Sequence, residues 1–234
     1  MAGRQAFERK GLLLVVSGPS GAGKTTLCKE IRAMVPDLRH SISCTTRQPR
    51  PGEVNGREYF FLDEQTFDKM VERDEFAEWA VVYGHHYGTP GKALAEMMDQ
   101  GRDVLLEIDV QGAAQIKRKF SEAVNVYLLP PSITELRTRL LRRAGDAPEE
   151  ITRRLRQAGD EVRGYRQYDY IVRNQNLKDA VKELEAIITA ERIRTTRLNV
   201  SLIENQVAKE FATGGESVPG KPAGSPPREE RKKQ

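Results

Sequence analysis

The sequence predicts an α/β fold, in which a parallel β-sheet is covered by helices on both of its faces. The first observation behind this prediction is that four short apolar runs alternate along the chain with segments of helical periodicity. The second is a glycine-rich loop, residues 18 to 25, which joins the first apolar run to the first helical segment. A chain of 234 residues is long enough to build one such domain.

The first predicted strand lies in GLLLVVSG, where the apolar residues 12 to 16 stand between glycines. A strand that is apolar on both faces is typical of the interior of a parallel sheet. A helix is predicted from Lys24 to about Val35, because Pro36 cannot donate the hydrogen bond that would continue it.

A second helix is predicted in DEQTFDKMVERDEF, because Phe67, Met70 and Val71 fall on one helical face. The remaining predicted elements, in chain order, are short strands or turns over 76–90, a helix in GKALAEMMDQG, a strand in DVLLEIDV, a short helix over 112–120, a strand in AVNVYLL, a helix from 132 to about 143, a further helix to about 162, a strand in YDYIVRN and a long amphipathic helix from 177 to about 197. Ser132 and Glu135 form a capping box at the start of their helix.

The predicted domain covers residues 11 to 197 and is flanked by two extensions. Residues 1 to 10 are polar and form the N-terminal one. Residues 198 to 234 form the C-terminal one, which we expect to be largely disordered from about 213, because the final 22 residues contain four Gly and four Pro.

The charge distribution argues against a broad nucleic-acid-binding surface. The chain has a net charge of +4, and residues 213 to 234 supply +2 of it, since five Lys or Arg stand there against three Glu. The rest of the chain is close to neutral, whereas proteins that bind nucleic acid usually present a strongly basic face. We therefore expect no nucleic-acid partner.

Cysteine content and hydropathy predict a cytoplasmic protein. Cys28 and Cys44 are too few for a disulfide framework and lack metal-ligand spacing, so we expect reduced thiols. The apolar run of residues 12 to 16 is too short for a signal-peptide core or a membrane span. We expect no targeting segment and no membrane partner.

The loop GPSGAGKT matches the G-x-x-x-x-G-K-[ST] pattern, with a predicted strand before it and a helix after it. Glycines let the backbone N–H groups converge on phosphate oxygens, Lys24 can reach the terminal phosphates, and the Thr25 hydroxyl can bind magnesium. A glycine turn with a chance match is the weaker alternative. The predicted triphosphate-binding residues are Gly18, Pro19, Ser20, Gly21, Ala22, Gly23, Lys24, Thr25 and Thr26.

Two acids, Glu107 and Asp109, end the predicted strand in DVLLEIDV. A metal-associated carboxylate lies at this position in folds of this kind, so we predict that Glu107 assists Thr25 at a magnesium ion. Which of the two acids serves the metal stays open, and solvated acids at a strand edge are the alternative.

The stretch SCTTRQPRPGEVNGREYFF places Arg47 and Arg50 on a loop that Pro49 and Pro51 stiffen. A kinase whose acceptor is itself a phosphate must bring two anions within bonding distance. Arginines on a rigid loop would stabilise that approach, because guanidinium binds phosphate oxygens bidentately, and Tyr59 could add a neutral donor. A solvated basic turn is the alternative for the loop taken alone.

TTRQPRPGEVNGREYFF, after Ser43 and a phosphate-binding loop, resembles the signature of the guanylate kinases. The resemblance continues through EFAEW, YGHHYGTP, LEIDVQGA, PPS and YDYIVRN, and covers residues 11 to 195. It implies a P-loop NTPase core with an inserted GMP-binding lobe over about 41–91 and a mobile lid over about 140–165. It also implies reversible transfer of the ATP terminal phosphate to GMP, with magnesium.

The resemblance assigns residues to each part of the site. The GMP phosphate would be bound by Arg47, Arg50, Tyr59 and Tyr87, and the guanine by Ser43, Glu78, Thr89 and Asp109. Asn174 would lie near the adenine of ATP, and Arg143 and Arg154 would be the arginines of the lid. Arg142 and Ala144 stand where glycines usually flank the lid arginine, so the register of Arg143 is left open.

We expect catalysis to come from alignment and charge neutralisation, because the acceptor oxygen is already ionised and needs no strong base. The residues predicted to supply it are Lys24, Arg47, Arg50, Arg143 and Arg154. Three rival functions remain: a scaffold module that binds phosphorylated partners at the same site, a kinase of this fold for another phosphorylated small molecule, and a basic nucleic-acid binder.

Overall fold

The computed structural model describes residues 9–82, 84–142 and 163–213. Its strands are β1 (Leu13–Ser17), β2 (Leu38–His40), β3 (Cys44–Thr45), β4 (Phe60–Phe61), β5 (Phe76–Val82), β6 (His85–Pro90), β7 (Asp103–Glu107), β8 (Val124–Leu129) and β9 (Tyr170–Arg173). Its α-helices are α1 (Lys24–Met34), α2 (Glu64–Glu72), α3 (Gly91–Asp99), α4 (Val110–Lys119), α5 (Ile133–Arg142), α6 (Leu177–Arg192) and α7 (Val200–Thr213).

Five of the described strands form the core sheet, in the order β2-β7-β1-β8-β9. All four neighbouring pairs are parallel, as the alternation of strands and helices predicted. β1 lies in the middle and pairs with β7 so that Val16 is opposite Glu107. The carboxyl ends of both strands therefore meet at one edge of the sheet, the usual place for a ligand in an open α/β fold.

The hydrophobic core covers both faces of this sheet, because side chains alternate along each strand. In β1, Leu14 and Val16 belong to a buried cluster that includes residues of α1 and α6. Leu13 and Val15 belong to a second cluster, which includes residues of α3 and α4. The predicted arrangement of helices on both faces is thus confirmed.

A second sheet, with the strand order β4-β3-β6-β5, lies within the segment from 41 to 91. Its β5 and β6 form an antiparallel hairpin over residues that were predicted only as short strands or turns. Cys44, Phe67 and Phe76 form its small core, and a β-carbon on Gly88 would lie 2.8 Å from the Phe76 ring. Cys28 and Cys44 are both free and buried.

Two helix boundaries differ from the prediction. Helix α4 starts at Val110 rather than near 112, because the side chain of Asp109 caps it by accepting a hydrogen bond from Gly112 N. Helix α6 ends at Arg192 rather than near 197. The chain turns there so that Arg197, only 4% exposed, can donate to the Glu122 carbonyl from the interior.

Asp103, at the start of β7, joins both ends of the core. Its carboxylate accepts hydrogen bonds from Arg9 at 2.5 and 2.8 Å, from Leu12 N at 2.8 Å and from Arg192 at 2.7 Å. Burial opposes ionisation, but the hydrogen bonds outweigh it and lower the pKa of Asp103 below its ordinary value. Arg9, which was assigned to the N-terminal extension, thus contributes to the fold of the core.

Helix α7 belongs to a compact unit separate from the one that contains both sheets. Sequence patterns assigned no helix to this part of the chain. Several of its apolar side chains are exposed, with Phe211 the most exposed of them. In the described ranges, every helix is too short or too polar to cross a membrane.

Candidate active site

The glycine-rich loop connects the carboxyl end of β1 to α1, as predicted. Gly18 and Gly23 have φ angles of 142° and 98°, which L side chains rarely adopt. At Gly18, a β-carbon would also lie 2.5 Å from the Leu128 carbonyl oxygen, so the position requires glycine. The loop ends at the amino terminus of α1, where unpaired backbone N–H groups attract phosphate.

Lys24 is the first residue of α1 and bends back over the loop. Its ammonium group donates to the carbonyl oxygens of Gly18 at 2.6 Å and Pro19 at 3.2 Å. The positive charge therefore lies against the loop that would surround a triphosphate.

Two side chains from later elements contact the loop at one carbonyl oxygen, that of Ala22. Asn174, which follows β9 and is 6% exposed, donates to it at 2.7 Å, and Arg139 of α5 reaches it at 3.5 Å. A β-carbon on Gly23 would collide with the Asn174 amide. Asn174 was predicted near adenine, but sequence reasoning missed its contact with the loop, because no local pattern joins these distant segments.

Thr25 and Glu107 lie together, as the predicted magnesium site requires. The Thr25 hydroxyl donates to a Glu107 carboxylate oxygen at 2.5 Å. The contact follows from the sheet order, since β7 is the neighbour of β1 and both strands end at the same edge. Both side chains offer the hard oxygen ligands that Mg²⁺ prefers.

Arg47 is held in place by side chains of the arginine loop and its surroundings. Its guanidinium donates to the Glu53 carboxylate at 2.9 and 3.0 Å and to the Tyr87 hydroxyl at 3.3 Å, and it lies 5.6 Å from the centre of the Tyr59 ring. Burial would lower the pKa of Arg47, but its hydrogen bonds to Glu53 and Tyr87 raise the pKa instead.

Glu53 is a residue of this site that sequence reasoning missed. Its carboxylate binds Arg47 and also accepts from the backbone N–H of Arg50 at 2.7 Å. The signal was available, because Pro51 and Gly52 form a turn that brings position 53 back to Arg50, with a hydrogen bond from Glu53 N to the Arg50 carbonyl at 3.0 Å. The side chain of Arg50 itself is exposed.

Tyr59 and Tyr87 pack edge to face, with ring centres 5.9 Å apart. Burial, the largest influence, raises the pKa of Tyr59 to about 12, and the negative charge of Glu107 adds to the rise. Tyr59 therefore keeps its proton near neutral pH and can donate a hydrogen bond. The influence of Glu107 also places Tyr59 within electrostatic reach of the Thr25–Glu107 pair.

Glu78 is a buried carboxylate, with 3% of the residue exposed. The register of the β5–β6 hairpin sets Glu78 opposite Thr89, and the Thr89 hydroxyl donates to Glu78 at 2.6 Å. Burial, the largest cause, and the negative charge of Asp109 raise the pKa of Glu78 to about 7 against the opposing hydrogen bond from Thr89.

The other two predicted guanine contacts, Asp109 and Ser43, come from two further segments. Asp109 follows β7 and accepts from Gly112 N at 2.8 Å, and its charge reaches Glu78. Ser43 directly precedes β3, and β3 pairs with the part of β6 that holds Tyr87. The predicted lid arginines, Arg143 and Arg154, lie outside the described residues.

Comparisons with known proteins agree with this arrangement. Residues 10–191 match the family model described as guanylate kinase. The guanylate kinase of Carboxydothermus hydrogenoformans is 50% identical over 194 residues, which are 83% of this chain and 95% of the relative. The one from Geobacter sulfurreducens is 50% identical over 192 residues, 82% of this chain and 95% of the relative.

A solved structure confirms the predicted fold class. The crystal structure of guanylate kinase from Anaplasma phagocytophilum matches with a TM-score of 0.71 at 29% identity, over 89% of this chain and 97% of that one. The sequence motifs, the architecture and the relatives agree, and this chain belongs to the guanylate kinase family.

Proposed function

We propose that this chain catalyses reversible transfer of the terminal phosphate of ATP to GMP, giving ADP and GDP. The observation that carries the proposal is the buried carboxylate of Glu78 beside Thr89. Guanine presents two N–H donors on one edge, and a single ionised carboxylate can accept both. Adenine has an acceptor at the corresponding ring position and would leave the carboxylate repelled and unpaired.

The donor triphosphate would bind to the loop from Gly18 to Thr25, with Lys24 against its terminal phosphates. The contact of Asn174 with Ala22 supports this role, because it holds the loop in shape before the nucleotide arrives. Thr25 and Glu107 would hold Mg²⁺, which neutralises charge on the phosphates when it is bound. The residues present fit that ion, since both supply oxygen ligands at the edge of the core sheet.

The acceptor phosphate would bind where Arg47, Tyr59 and Tyr87 meet, with Arg50 closing over it. In the ligand-free protein, the Arg47 guanidinium donates to the Glu53 carboxylate. We propose that the GMP phosphate competes with Glu53 for these N–H donors. Arginine suits this role because its planar N–H groups match phosphate oxygens. The protonated hydroxyl of Tyr59 supplies a neutral donor without adding charge.

Catalysis would then require alignment and neutralisation rather than a general base. The attacking phosphate oxygen is already ionised near neutral pH, and Lys24, Arg47 and Arg50 lower the repulsion between the two anions. We assign Arg143 and Arg154 to the same task from the lid. Closure over both substrates would exclude water, which would otherwise consume ATP.

The proposal is tested by a panel of acceptors, namely GMP, dGMP, AMP, UMP and CMP, each supplied with ATP and magnesium in a coupled assay for ADP. We expect rapid turnover with GMP, slower turnover with dGMP and little with the other three. Absence of ADP release with GMP would indicate a scaffold module that binds phosphorylated partners instead. Turnover with a different phosphorylated compound would indicate another kinase of this fold.

The raised pKa of Glu78 predicts that GMP binding weakens on the acid side of neutrality. Because the carboxylate of the ligand-free protein titrates near 7, it is largely protonated at pH 6 and can no longer accept both guanine donors. We expect the KM for GMP to be about tenfold higher at pH 6 than at pH 8, with little further change above pH 8.

The matched control is Glu78→Gln, which cannot titrate. The acceptor phosphate also titrates near pH 6, so the variant isolates the part of the profile that belongs to Glu78. A KM profile of the same shape in both proteins would contradict the assignment. The pH dependence of folding has the opposite direction to that of GMP binding. Protonation of Glu78 stabilises the ligand-free fold at low pH, and this contribution to the free energy of unfolding is lost as the pH rises through about 7.

A further inference from the structure

We propose that one face of α4 positions the Glu78 carboxylate for guanine, through Gly112 and Gln115. This inference rests on the proposed function, because it adds positioning residues to the guanine site. Neither residue would touch the substrate. Both would act by fixing where the strand β5 and its carboxylate lie.

Gln115 pairs with the backbone of β5 at the residue next to Glu78. Its side-chain amide accepts from Trp79 N at 3.2 Å and donates to Trp79 O at 2.6 Å. Among the described strands, β5 is at the edge of its sheet, so one side of its backbone lacks a partner strand. A glutamine amide reproduces the donor and acceptor of a neighbouring strand, and it therefore fixes β5 at this point.

Gly112 permits the carboxylate to lie directly against the helix. A β-carbon at this position would collide with one carboxylate oxygen of Glu78 and would lie 3.0 Å from its Cδ. Glu78 cannot move aside freely, because it is buried and its other carboxylate oxygen is held by Thr89. Glycine at position 112 thus provides the space that the guanine-binding carboxylate occupies.

A third residue on the same helical face contacts the same strand. Lys119 donates from its ammonium group to the Phe76 carbonyl oxygen at 3.0 Å. Positions 112, 115 and 119 are spaced by three and four residues, so they form one stripe of α4. The contacts extend along β5 from Phe76 to Trp79, with Glu78 between the two backbone anchors.

Helix α4 connects the two parts of the proposed site. The helix begins at Val110, shortly after β7 ends at Glu107, and Asp109 caps its amino terminus. It therefore links the edge of the core sheet, where the triphosphate and magnesium would bind, to the strand that would recognise guanine. A binding carboxylate must be held within about 0.5 Å to accept two hydrogen bonds at once.

The first test replaces Gln115 with alanine. We expect the KM for GMP to rise about tenfold, while kcat at saturating GMP and the KM for ATP change less than about twofold, because the defect concerns guanine alone. IMP lacks the 2-amino donor, so the preference for GMP over IMP should also fall. Gln100→Ala removes the same groups from an exposed site after α3 and should leave every constant unchanged.

The second test is Gly112→Ala, alone and combined with Glu78→Asp. Because the added methyl group collides with a carboxylate that is held in place, we expect a KM for GMP at least about tenfold higher and a lower thermal unfolding midpoint, since the helix preference of alanine over glycine offsets only part of the cost of the collision. The shorter side chain of Glu78→Asp leaves room for the added methyl group. In that background, Gly112→Ala should therefore raise the KM for GMP and lower the unfolding midpoint by less than it does in the unmodified protein. A loss of the same size in both backgrounds would contradict the contact.

The outcomes distinguish this inference from the proposed function. If the unmodified protein turns over GMP but Gln115→Ala and Gly112→Ala behave like it, the inference about α4 is overturned and the proposed function stands. If the unmodified protein does not use GMP, the proposed function fails. The inference is then tested by carboxyl-carbon NMR of ligand-free protein, in which Gly112→Ala must change the titration of Glu78, and an unchanged titration overturns it.

Discussion

Replacing Lys24 with alanine is expected to lower kcat by about a thousandfold, which is the scale seen when a charged group is removed from a phosphate-transfer site. The ammonium group lies against the carbonyl oxygens of Gly18 and Pro19, so it would meet the terminal phosphates of a nucleotide inside the loop. Its charge is most useful in the transition state, where negative charge spreads over the transferred group. Single-turnover and steady-state assays with ATP and GMP measure the effect.

The matched control is Lys29→Ala, an exposed lysine on the same helix α1. It removes the same charge about one turn farther along and should leave kcat within about twofold of the unmodified protein, as surface substitutions usually do. Equal losses in both variants would point to helix stability instead of catalysis. Near-normal turnover by Lys24→Ala would refute the role assigned to that residue.

Replacing Glu78 with glutamine is expected to lower kcat/KM for GMP by at least about a hundredfold. An amide offers one acceptor and one donor group where guanine needs two acceptors, so one N–H of guanine would face an N–H of the protein. The weak activity with AMP should not fall, because adenine presents an acceptor that the carboxylate repels. The ratio of kcat/KM for GMP to that for AMP is therefore the informative quantity.

Glu72→Gln serves as the control for this experiment. Glu72 is exposed at the end of α2, in the same inserted segment, and its replacement should leave the GMP-to-AMP ratio unchanged. Circular dichroism and the thermal unfolding midpoint show whether both variants fold. A Glu78→Gln protein that is folded and keeps its preference for GMP would remove Glu78 from the guanine site.

The geometry of the proposed donor side could be predicted almost completely from the sequence. The residues from Gly18 to Thr25 are contiguous, and the roles proposed for them follow from backbone conformation and local chemistry. The approach of Thr25 to Glu107 could be predicted as well, because neighbouring parallel strands end at one edge. The contact of Asn174 with Ala22 could not, since the two residues are far apart in the chain.

On the proposed acceptor side, the sequence predicted the residues but not their contacts or burial. The proline-stiffened loop indicated two phosphate-binding arginines, but the pairing of Arg47 with Glu53 appeared only in the structure. Glu78 owed its assignment to the family motif, and its burial depends on the β5–β6 hairpin and on Gly112 of α4. The selectivity for guanine that we propose for Glu78 therefore depends on distant segments that exclude water from the carboxylate.

The sequence by itself determined the alternating strands and helices, the phosphate loop and the family, because each depends on periodicity or on residues adjacent in the chain. The tertiary structure alone decided that Asp103 joins Arg9 to Arg192, that Gln115 pairs with the edge of β5, and that the pKa of Glu78 rises to about 7. The physical reason is that burial and electrostatic environment are set by neighbours in space, and these neighbours come from segments that local patterns cannot bring together.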